Sequence, residues 1–163
     1  MANNIIVSED HHPTLRHNDR EAIGSELQAI LVTLIDLSLL GKQAHWNIVG
    51  PHFRSLHLQL DEMIDAWRLA ADEVAERAVA LGYQPDGQVR TVAGRTILAP
   101  LPEGQILDQD VIAAFTRLLT DSIGDIRSRM DKLEDVDAVT ADILHGVVQG
   151  LEENLWMIRV QAG

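Results

Sequence analysis

Apolar residues recur along this chain at the three-and-four spacing of an amphipathic helix, in four long segments. In the first, about residues 20 to 47, Ile23, Leu27, Ile30, Leu31, Leu34 and Ile35 share one face, and Gly50 and Pro51 break the pattern. In the second, about 52 to 81, Phe53, Leu56, Leu60, Met63, Ile64, Trp67, Val74 and Leu81 do so, with Gly82 as the stop. The third, about 109 to 134, carries Val111, Phe115, Leu118, Leu119, Ile123, Ile126, Met130 and Leu133. The last, about 140 to 160, uses Ile143, Leu144, Val147, Val148, Leu151, Leu155, Trp156 and Ile158, with Thr140 as the expected cap.

Between the second and third segments, residues 82–108 are rich in Gly and Pro, and TVAGRTIL within them predicts a short helix. Residues 1–18 mix polar, acidic and His residues and read as an extended or flexible tail ahead of one domain over 19–163. Two short links and one long crossover give an all-α fold. It is a four-helix bundle whose connection between helices two and three is the ferritin-like one and carries the short helix.

Composition narrows the picture. An apolar share of 46% supplies a core, and 4% aromatic residues argue against an all-β fold. There is no cysteine, so thiolate metal sites and disulfides are excluded. The net charge of −12, with Lys42 and Lys132 the only lysines, should repel phosphate backbones and attract cations. The N-terminus has no basic leader before an apolar run. The apolar stretch 27–40 is interrupted by Gln28, Thr33, Asp36 and Ser38 and is shorter than the roughly 20 residues a membrane span needs. These features predict a cytoplasmic protein with no membrane partner.

The candidate chemistry lies on the second helix, in HLQLDEMIDAWRLAADEVAE (57–76). At about 100° per residue, His57, Asp61, Asp65, Asp72 and Glu76 fall in one stripe. His57/Asp61 and Asp72/Glu76 are i, i+4 pairs, each able to converge on one metal ion. Either pair alone reads as a solvated acidic face. Two features favour metal. His45 lies just before the turn that starts this helix, and no lysine four residues away compensates Asp61 or Glu76. The pair midpoints lie 15 residues, roughly 22 Å, apart, so one straight helix cannot bring all four residues to one centre. A second copy packed antiparallel across a two-fold axis would set His57 and Asp61 of one chain against Asp72 and Glu76 of the other. Imidazole and carboxylate ligands without sulfur suit Fe, Mn or Zn.

The run KQAHWN-x2-G-x2-F-x2-LH-x3-D, Lys42 to Asp61, followed by DEVAERAVALG, Asp72 to Gly82, resembles the signature of the Dps family, the miniferritins. The helix TADILHGVVQGLEENLWMI resembles that family's last one. The resemblance implies a homo-oligomer, a hollow dodecamer with dinuclear iron centres at its two-fold interfaces. His45, His57 and Asp61 would come from one chain, and Asp72 and Glu76 from its mate. It implies ferroxidase activity, Fe(II) being oxidised preferentially by hydrogen peroxide, and ferric iron being stored in the cavity as protection against oxidative stress. Trp46 matches a tryptophan beside that centre, and reads either as a packed aromatic or as a local electron source. Asp131, Glu134, Asp135 and Asp137 correspond to a region lining three-fold pores, and read equally as a solvated helix end. His52 and His145 have no counterpart among the ligands.

The charge argues against DNA binding, since non-specific affinity rests on Lys and Arg neutralising phosphates. That sets aside a nucleoid-compacting structural protein. A dimetal hydrolase of small amides or esters could use the same ligands, but nothing in the sequence marks a substrate pocket or a dedicated base.

Overall fold

The computed structural model describes residues 15–162. Most of the expected tail, residues 1–14, lies outside them, and the first helix already begins at His17. The helices are α1 (His17–Asn47), α2 (Phe53–Ala80), the short α3 (Val89–Arg95), α4 (Asp108–Met130) and α5 (Ala138–Arg159). Helix α1 packs along α2 and α4 along α5, while α1–α4 and α2–α5 contacts close the bundle. Helix α1 is long and apolar enough to cross a membrane, but 61% of its most apolar window is buried inside the bundle. Its hydrophobic residues make the core instead.

Inside, the Trp67 and Phe115 rings lie parallel, centroids 6.1 Å apart. The Trp67 indole N–H donates to Asn154 Oδ1 at 2.8 Å, so the polar edge of that buried ring is satisfied. At the end of α2, Gly82 takes φ +82°. Tyr83 N–H then reaches back to the Ala78 carbonyl at 2.9 Å and Gly82 N–H to Val79 at 2.9 Å, a Schellman stop.

The crossover runs along α1. Gln28, buried in α1, donates to the Asp86 carbonyl at 2.9 Å and accepts from the Asp86 N–H at 2.7 Å. Farther on, the Thr96 hydroxyl donates to Asp36 of α1. The chain then returns to the end of the bundle where α1 finished. There a feature absent from the hydrophobic pattern forms: β1 (Ile48–Val49) pairs in parallel with β2 (Ile106–Leu107).

Three expectations need correction. Phe53 and Trp156, placed on apolar faces by periodicity, are 44% and 62% exposed in the single chain. Helix α4 ends at Met130, not near 134, because residues 131–136 form successive turns that still bury Leu133. Helix α5 is capped by Asp137 rather than Thr140. The Asp137 carboxylate accepts from the Thr140 N–H at 3.3 Å and from its hydroxyl at 2.5 Å.

Candidate metal centre

The turn between α1 and α2 sets the site. His45 sits in the last turn of α1 and His57 in the second turn of α2. Their rings stack, centroids 3.7 Å apart and 18° from parallel. Each Nδ1 lies 2.9 Å from the other residue's backbone carbonyl oxygen. A carbonyl can only accept, so each Nδ1 carries a proton, which leaves Nε2 as the one nitrogen that can offer a lone pair. Fixing the tautomer through the far nitrogen is how metal-binding histidines are oriented. The Phe53 ring lies 5.0 Å from His57 and flanks the pair.

Asp61, one turn beyond His57, brings Oδ1 within 3.4 Å of His45 Nδ1. The same oxygen accepts a hydrogen bond from the Lys42 ammonium of α1. That bond, with the Lys42 charge behind it, holds the Asp61 carboxyl below its ordinary range despite some desolvation. The lack of a nearby lysine inferred from α2 alone is thereby corrected: the compensating cation comes from α1.

A third element anchors the turn. Asp108, the first residue of α4, is buried, and its carboxylate accepts from His52 N–H at 2.8 Å and Gln109 N–H at 2.9 Å. Gly50 lies against it with φ +127°, and a Cβ there would stand 2.6 Å from the Asp108 carboxyl carbon. Only glycine meets both demands. The β1–β2 pairing and this carboxylate therefore fix the segment joining the two histidines. Sequence reasoning missed Asp108, because an acid at a helix start signals a local cap and not a partner 56 residues away.

The remaining expected ligands lie apart from this cluster. Asp72 and Glu76 are exposed, farther along α2. Among the described residues of one chain, no three His, Asp or Glu side chains gather as a metal cage. Trp46 is 70% exposed, so in the single chain it is not a core aromatic. His52 is exposed at the N-cap of α2, and His145 is exposed on α5. Asp131 and Glu134 are exposed in the α4–α5 turn, as is Asp135, whereas Asp137 is occupied as a cap and by Arg77 at 2.5 Å.

The family model of the ferritin-like domain matches residues 25–163. The chain is 34% identical over 151 residues to a DNA protection during starvation protein of Mycolicibacterium smegmatis, covering 90% of this chain and 80% of that one. Its fold superposes on a crystal form of Mycobacterium smegmatis Dps with TM-score 0.89 at 33% identity, over 92% of this chain and 91% of that one. For Dps from Microbacterium arborescens in the high iron form the TM-score is 0.84 at 31% identity, covering 88% and 93% of the two chains.

Proposed function

The chain belongs to the ferritin-like family and, within it, to the Dps proteins. From that premise we propose that it is a ferroxidase and iron-storage protein. It binds Fe(II) at a dinuclear centre shared by two copies, oxidises it preferentially with hydrogen peroxide, and keeps the ferric product inside a hollow dodecamer. Zn(II) and Mn(II) fit the same donor set.

The observation that carries this reading is the tethered histidine pair beside Asp61. Two imidazoles are held with Nε2 as the basic nitrogen, next to a carboxylate kept ionised, in a site without sulfur. Nitrogen and carboxylate donors accept Fe(II), and anionic oxygen favours Fe(III) once formed. Two Fe(II) ions give one electron each to peroxide. Its O–O bond breaks, and with two protons it leaves as two waters. Taking both electrons at one site avoids releasing a hydroxyl radical. The protein's task is to hold the two ions together and orient them. The half-site formed by His45, His57 and Asp61 needs further donors, and Asp72 and Glu76 of a second copy supply them.

Fe(II) added without oxygen, followed by peroxide, should give a fast rise in ferric absorbance. The variant H57A/D61A should lose that fast phase, and an unchanged rate would sink the assignment. Co-expression of H57A chains with E76A chains tests the sharing. Random pairing leaves about a quarter of the centres with both residues intact, so about a quarter of the fast phase should return. If all five ligands came from one chain, nothing would return.

A further inference from the structure

Asp65 and Arg68 lie on the same stripe of α2 as the expected ligands, and the metal chemistry uses neither. They are 76% and 54% exposed, and their own ion pair is long, at 3.9 Å. A pair so open contributes little by itself. Beside them an open groove of about 390 Å³ runs between α1, α2 and the crossover, walled by Leu31, Ile35, Leu39 and Ala71, with Arg68 and Asp72 on its edge.

The pairing that completes the metal centre sets a register. With His57 opposite the second copy's Glu76 and Asp61 opposite its Asp72, the two-fold axis falls level with the Ala66–Trp67 peptide. Counting inward along two antiparallel helices, the next facing positions are Asp65 and Arg68, about 2 Å on either side of the axis level by the helical rise. We propose that Arg68 faces Asp65 of a second copy across this axis, twice by symmetry, and is the cation that lets the two α2 helices pair before any metal is bound. The same register sets Leu58 opposite Ala75, and Arg54, through its aliphatic stem, opposite the exposed Val79.

The need for such a cation follows from charge. Each chain brings Asp61, Asp65, Asp72 and Glu76 to this face, so pairing gathers eight carboxylates, and like charges across an interface oppose it. Lys42 answers Asp61 on each chain. Arg68 is the only basic residue between Asp61 and Glu76 on α2. The second copy also covers the groove, which otherwise leaves Leu39 52% exposed.

This inference rests on the two-chain centre proposed above, so it is tested on metal-free protein, where iron oxidation plays no part. Self-association, measured by dilution in an analytical ultracentrifuge, should weaken at least about tenfold in R68E, which sets four acids around the axis. High salt should lessen the loss. Adding D65R to R68E in the same chain rebuilds both cross-pairs with reversed signs and should return association to near wild type. Because the wild type has no cysteine, R68C should cross-link to its own copy on mild oxidation, while E73C, on another side of α2, should not. Unchanged association in R68E, no rescue by D65R, or no R68C cross-link would each overturn the proposal. If these results hold while peroxide gives no fast iron oxidation, the interface stands and the ferroxidase reading falls. The reverse pattern removes the interface and leaves the chemistry.

Discussion

Lys42 stands where a metal ion would compete with it. Its ammonium bonds the Asp61 oxygen nearest the histidine pair, so binding a divalent ion at Asp61 must first displace it. Replacing Lys42 with Gln removes the competing charge, and Zn(II) should then bind several-fold more tightly in a calorimetric titration. Equal or weaker binding would mean that the ammonium does not guard the carboxylate. At this scale the cluster of His45, His57 and Asp61 was legible and its supports were not. His45, His57 and Asp61 announce themselves by type and spacing. Lys42 and Asp108 act through contacts across 19 and 56 residues, which no local pattern encodes. Phe53 and Trp156 show a related limit, since periodicity reports which side of a helix is apolar and not whether this chain alone covers it.

Among the elements, the junction of α5 with α2 is the most informative. Arg77 of α2 donates to the Asp137 carboxylate at 2.5 Å and to the Thr140 hydroxyl at 3.0 Å, so one acid both caps α5 and pins it to α2. At the α1–α4 contact, Glu26 accepts from Arg129 at 2.7 Å and from Lys132 at 2.9 Å. Partial burial alone would raise both carboxyls. The bonds outweigh it, Thr140 and Arg77 at Asp137, Lys132 and Arg129 at Glu26, and both are held below their ordinary range. A carboxyl whose folded pKa lies below its unfolded one adds stability that is complete above the unfolded value, near 4, and lost as pH falls through the folded value. Urea midpoints should therefore drop steeply below about pH 4, and less steeply in D137N, which removes one of the two groups. D137A should cost about 1–2 kcal/mol at neutral pH through loss of the cap, and a thermal melt checks it. The helices themselves were legible because their apolar faces are long. Their junction was not, because Leu133 keeps the helical period while sitting in a turn that is no longer helix, which hid both the end of α4 and the Asp137 cap.

For the whole molecule, charge decides the partners. Thirteen basic residues against 25 acidic ones leave little with which to release counterions from DNA. Plasmid DNA should run unretarded with this protein at neutral pH and about 0.15 M salt without added divalent metal. A shifted band would show that a local basic surface outweighs the net charge. The fold class could be read from the helical period and the one long crossover, and a spacing of roughly 22 Å along α2 separates the two candidate ligand pairs in any single chain. What the sequence hid is how the half-site is held together, and that has a consequence during synthesis. Gly50 and His52 are clasped by Asp108, and Ile48 and Val49 pair with Ile106 and Leu107, all contributed by chain made much later. A nascent chain that has emerged only as far as α2 carries both histidines without the clasp that sets their spacing. At roughly 5–20 residues per second, the interval before Asp108 emerges lasts several seconds. The turn that spaces the two imidazoles therefore reaches its final shape only after residues 106–108 have been made.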